Sequence, residues 1–157
     1  MDPILIVKST KDLIVLCFKV SEFLNNAKTV EVTFRLLSTE VRNLSDVLGY
    51  LGDALDSESP APKAVYLRTE HDQEYWRLVS RSMEDCRETL ESLRKTVEGA
   101  YRGEGSGLLR RPRMQLALDM QSGEIQEFRQ RITAFTNTMQ IALQLITMCD
   151  SLFYWTF

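Results

Sequence analysis

The chain has one histidine, His71, among its 157 residues, so a metal site built on paired histidines is excluded. Cysteine is nearly as scarce: Cys17, Cys86 and Cys149 show no metal-ligand spacing. Their odd number, with no secretion signal, fits a reducing, intracellular compartment. Each is expected to behave as a small buried hydrophobe. Basic charge is not in excess. With 19 Lys and Arg against 22 Asp and Glu the net charge is −3, and a nucleic-acid partner is not expected. No run of about 18 consecutive apolar residues occurs, so no constitutive transmembrane helix is expected. The apolar runs Ile4–Val7 and Leu13–Phe18 are split by Lys8, Lys11 and Asp12, and neither is long enough for a signal peptide.

What the chain does have is heptad spacing. Apolar residues recur at alternating intervals of three and four in Val30, Phe34, Leu37, Val41, Leu44, Leu48, Leu51 and Leu55. The same holds for Trp76, Val79, Met83, Cys86, Leu90, Leu93, Val97 and Ala100, and for Ile125, Phe128, Ile132, Phe135, Met139, Ala142, Ile146 and Cys149. A mean period of about 3.5 residues holds one narrow stripe against a neighbouring helix. At 44% apolar and 26% charged, the chain suits one domain with a single core, residues 1–157. The predicted class is all-α: an up-down four-helix bundle of long antiparallel helices with coiled-coil-like packing.

Punctuation along the chain predicts helices over about 3–25, 30–56, 70–101 and 113–150. Pro3 suits a first helical position, Asn25-Asn26 a turn, and Thr29 a cap. The segment from Asp56 to Lys63, with Pro60 and Pro62, has loop composition. Thr69 and Asp72 resemble a capping box, followed by Glu74 in an acidic first turn. Gly103, Gly105 and Gly107 end the third helix, and a kink is expected near Ser122-Gly123 in the fourth. The apolar ending from Leu152 to Phe157 either packs on the bundle or leads into a longer protein.

Little of this points to a reaction. His71 has no identifiable nucleophile beside it and reads as an exposed first-turn residue. Ser80 and Ser82 lack a nucleophile-elbow context. Glu84, Asp85, Glu88 and Glu91 alternate with Arg81, Arg87, Arg94 and Lys95 in the manner of solvated helix pairs. The spaced glycines from Gly103 to Gly107 follow a helix rather than a strand and lack the Lys-Ser ending of a phosphate loop. No Glu-x-x-His motif of a di-iron bundle occurs, and the three ladders contain no charged residue. No catalytic, cofactor-binding or metal residue is assigned, and the reading points away from an enzyme.

The first helix is different. Ile6, Leu13, Leu16, Val20 and Phe23 supply a core stripe, and Ile4, Leu5, Val7, Ile14, Val15, Cys17, Phe18 and Leu24 add apolar surface at other angles. Such a helix is either central to the bundle or meets a second apolar surface: a copy of itself, another domain or a bilayer. Leaving such side chains in water forgoes roughly 1.5–3 kcal/mol each. Ile4, Leu5, Val7, Ile14, Val15 and Phe18 form the candidate membrane or partner face. Arg102, Arg110, Arg111 and Arg113 form the one basic patch, a candidate for anionic lipid or phosphate or else a solvated loop.

The opening Met1 to Val7, the run Leu13 to Leu24, the stretch Trp76 to Leu90, and Glu124 to Ile132 continuing through Thr138 to Ile146 carry a resemblance. Together they resemble the fungal N-terminal domains of STAND-type, NOD-like receptor proteins, and are similar to the N-terminal domain of azaphilone-cluster protein L. The resemblance implies a HeLo-like helical domain: a cell-death effector that oligomerises on activation and attacks the plasma membrane with its first helix. Carried onto this chain, that role falls on Ile4 to Val7 and Leu13 to Phe18. Lys8, Lys11, Asp12 and Lys19 interrupt them, which favours an inhibited resting state or domain association over autonomous insertion. The expected location is cytoplasmic with recruitment to the plasma membrane. Two alternatives stand beside this: a homo-oligomeric scaffold with no membrane role, and a small-molecule-handling protein or cofactor-free enzyme of a secondary-metabolite cluster. The last is implied by the azaphilone resemblance alone.

Overall fold

The computed structural model describes residues 3–26, 32–56, 70–102 and 122–155, and each segment is one α-helix. These are α1 (Pro3–Asn26), α2 (Val32–Asp56), α3 (Glu70–Arg102) and α4 (Ser122–Trp155). Pro3 opens α1, where its missing N–H costs no helical bond. Glu124 in the first turn of α4 meets the positive end of the helix dipole. At 33 and 34 residues, α3 and α4 outreach the 24 and 25 of α1 and α2 by about two and a half turns. The Thr29 cap, the Thr69 half of the capping box and the expected start of the last helix at 113–121 lie outside the described residues. The fourth helix continues past Asp150 to Trp155.

The four helices pack against one another around a common core. α1 lies chiefly against α2 and α3, and α4 against the same two. α2 buries Phe34, Leu37, Val41, Leu44, Leu48, Leu51 and Leu55, and α3 buries Trp76 through Val97 at every step of its ladder. On α4 the ladder is buried at Ile125, Phe128, Ile132, Met139, Ala142 and Ile146, while Phe135 is half-buried at the core's edge. Val30 and the side chains of Ala100 and Cys149 lie outside the described residues. Each fully buried Leu or Ile contributes roughly 1.5–3 kcal/mol, so these stripes are what draws the helices together.

The stripe on α1 differs from the expected one. Ile6, Thr10, Leu13, Cys17, Val20 and Leu24 face the core, while Leu16 and Phe23 are half-buried and pack against its margin. The seam therefore includes a hydroxyl, Thr10, that is completely buried. Its Oγ1 donates to the Val7 carbonyl at 2.7 Å, so the polar atom is satisfied within its own helix. Across from it sits Gly52 of α2, where a Cβ would lie 3.0 Å from Thr10 Oγ1. The missing side chain on α2 is what admits Thr10 to the seam. Farther along, buried Ser38 donates to Asn25 Oδ1 at 3.1 Å, and exposed Lys11 and Asp56 pair at 3.6 Å. Between α2 and α4, Arg129 grips Glu40 through Nε at 3.1 Å to both carboxylate oxygens and through Nη2 at 2.8 Å to Oε1. Both side chains are about three-quarters covered. This fork fixes register between two helices more than it adds stability.

Candidate functional site

Reactive groups are few among the described residues. No group of three or more His, Cys, Asp or Glu side chains is placed to hold a metal ion among them. Cys17 and Cys86 are free and buried. Burial pushes the Cys17 thiol up to about 12. Burial also raises that of Cys86, with nearby Cys17 adding to the effect. A thiol that stays protonated and shielded is a core hydrophobe rather than a nucleophile. Tyr75 stands edge-on to Trp76, ring centroids 5.8 Å apart, and burial raises its phenol pKa. Its hydroxyl finds no hydrogen-bond partner among the described residues. His71 lies in the first turn of α3, its side chain outside the described residues.

Two carboxylates of α3, Glu84 and Glu98, are held in helix pairs. Arg87 meets Glu84 at 2.6 Å with both side chains about half exposed, and Arg94 approaches Glu98 at 3.8 Å. Between α3 and α4 an open groove of about 460 Å³ is lined by Asp85, Glu88, Thr89, Ser92, Phe128, Arg131 and Phe135. Thr89 is buried there and spends its hydroxyl on the Asp85 carbonyl at 2.8 Å. A second open groove, about 470 Å³, runs between α1 and α2 past Ile14, Phe18, Ser21, Glu22, Arg42 and Ser45. Both grooves are open to solvent.

The candidate face on α1 divides by position. Leu5, Val15 and Phe18 are 57%, 54% and 68% exposed. Val7 and Ile14 are half-buried and pack against the core, and the side chain of Ile4 lies outside the described residues. At 3.6 residues per turn, Leu5 and Phe18 stand about 140° apart around α1 with Val15 between them. Charged Lys8, Lys11, Asp12 and Glu22, all exposed, share that sector. The outer side of α1 is thus apolar residues set among charges, not a continuous patch. α1 is also not central: it lies chiefly against two helices and leaves an outer side to solvent. Of the basic patch, Arg102 ends α3 with its side chain outside the described residues, as are Arg110, Arg111 and Arg113 altogether.

An exposed apolar row on α4 escaped the sequence reading. Ile141, Leu145 and Met148 are 52%, 41% and 61% exposed, and their spacing of four and three puts them on one side of the helix. The signal for it was present: no charged residue occurs between Arg131 and Asp150. The core ladder runs through the same segment, so apolar content alone does not separate the two rows.

No helix among the described residues is long and apolar enough to cross a membrane. Comparison of the chain with protein-family models, with curated proteins and with solved structures finds no match.

Proposed function

We propose that the chain is a non-enzymatic helical signalling or effector module that works by association. In this reading it is a HeLo-like, up-down antiparallel bundle of a fungal NOD-like or incompatibility-type protein, cytoplasmic and recruited to the plasma membrane. Opposed directions of α1 and α2 are supported by their contacts: Lys11 pairs with Asp56, Thr10 faces Gly52, and Asn25 meets Ser38, so positions fall on α2 as they rise on α1.

The observation that carries the membrane part is the outer side of α1. Leu5, Val15 and Phe18 stand in solvent beside exposed Lys8, Lys11 and Lys19, which outnumber the exposed Asp12 and Glu22 of the same sector. Apolar side chains set among lysines suit a helix lying in the headgroup region of an anionic bilayer, where the ammonium groups keep their water and the rings and branches leave it. The test is flotation of the purified chain with neutral and anionic liposomes. Flotation with anionic vesicles alone, abolished by Phe18→Glu and reduced by Val15→Glu, is the expected result. No flotation with any lipid composition would overturn the membrane role. The scaffold reading then takes over, and the exposed row on α4 is the observation that favours it.

A further inference from the structure

The exposed side of α4 from Thr133 to Met148 bears no ionisable side chain, in a protein whose other helices show charge along their outer sides. Ala134, Thr138, Ile141, Leu145 and Met148 follow one another there at steps of four, three, four and three. This is a second heptad row, rotated away from the core row on the same helix. Gln140 and Gln144, also exposed, adjoin it without adding charge.

We propose that this row is a self-association seam whose occupant is the same row of a second copy, packed antiparallel about a twofold axis near Ile141. The inference rests on the association reading above and assigns it a surface. Two properties make the row complementary to itself: it carries no charge, and its side chains grade from small to large. An isologous interface sets a patch against itself, so any charge near its axis meets its like. The α4 row avoids that conflict at every position.

Side-chain size sets the direction. The row is small at one end, Ala134 and Thr138, and large at the other, Leu145 and Met148. Antiparallel pairing puts Met148 opposite Ala134, Leu145 opposite Thr138 and Ile141 beside its own mate. Large then meets small throughout, and the helix axes stay evenly spaced. Parallel pairing would set Met148 on Met148 and Ala134 on Ala134, forcing the axes apart at one end and leaving a void at the other. From Ala134 to Met148 the row is about 21 Å long, modest for an interface, so the association is reversible and depends on concentration.

Sedimentation equilibrium of the 157-residue chain over a wide concentration range tests the proposal. The mass is expected to climb from 18.1 kDa toward twice that value. Ile141→Glu should weaken association by about 30-fold or more, and the uncharged Ile141→Gln should weaken it less, both with unchanged helix content by circular dichroism. Mixing Ile141→Glu with Ile141→Lys should restore pairing, because position 141 faces itself. The double variant Ala134→Glu/Met148→Lys should associate, since only antiparallel pairing sets the new charges against their opposites. A wild-type chain that stays monomeric at every concentration would overturn both the seam and the scaffold reading, whereas the membrane reading stands or falls on flotation. Association that survives Ile141→Glu and Ile141→Gln would overturn the seam alone. A double variant that stays monomeric would overturn the antiparallel pairing.

Discussion

Helices α3 and α4 have nearly the same length, 33 and 34 residues, and ladders of the same spacing on their inner sides. Their outer sides have little in common. α3 exposes Arg77, Arg81, Glu84, Asp85, Arg87, Glu88 and Lys95, whereas α4 beyond Arg131 exposes only uncharged residues up to Met148. The inner rows are alike because both must exclude water from the same core. The outer rows are free of that demand and show what each helix meets beyond the bundle. A charged outer side keeps solvent, while an uncharged one bearing Ile141, Leu145 and Met148 gives up less on meeting another apolar surface.

The inner likeness can be broken first. Leu90→Ala on α3 and Ile132→Ala on α4 both empty fully buried sites. Each is expected to lower stability by about 2–5 kcal/mol in chemical denaturation, with no systematic difference between the helices. A loss below about 1 kcal/mol on either would mean that its ladder is not part of the shared core.

A contrast inside α4 is expected to be smaller. Its charged beginning is tied to α2 by the Arg129 fork on Glu40, and from Ile132 to Met148 no ionisable side chain is present to make such a fork. Hydrogen bonding to Glu40 raises the Arg129 pKa above its already high value, so the pair remains ionised on the arginine side at any ordinary pH. Arg129→Ala should cost about 1 kcal/mol, less at high salt, read from denaturation midpoints at two ionic strengths.

The smallest stability effects are expected on the outer sides themselves. Leu78 of α3 and Leu145 of α4 are both exposed, at 57% and 41%. Glutamate at either position should change stability by no more than about 0.5 kcal/mol. Concentration-dependent mass separates them: Leu145→Glu should weaken the expected rise in light scattering, and Leu78→Glu should leave it in place.

Legibility from the sequence varied along the chain for a physical reason. On α2 and α3 the ladders from Phe34 to Leu55 and from Trp76 to Val97 are the longest apolar rows at helical spacing, and exposed Val32, Leu36, Tyr50 and Leu78 off them are too few to offer a rival inward direction. On α1 apolar residues point several ways, and spacing alone allowed a stripe through Leu16 and Phe23 as readily as one through Cys17 and Leu24. A threonine at a core position also argued against the true stripe. Gly52, more than forty residues away in the chain, makes room for Thr10, and no local pattern carries that information.

The sequence by itself determined that the described chain is helical and which sides of α2, α3 and most of α4 turn inward, because an apolar stripe at helical spacing can leave water in only one way. Tertiary structure alone decided which stripe of α1 is buried, that Thr10 enters the seam beside Gly52, and that Glu40 and Arg129 meet from 89 residues apart. It also decided which apolar residues remain outside. Burial of a helix side is a property of its neighbours, and neighbours are chosen by the whole fold at once.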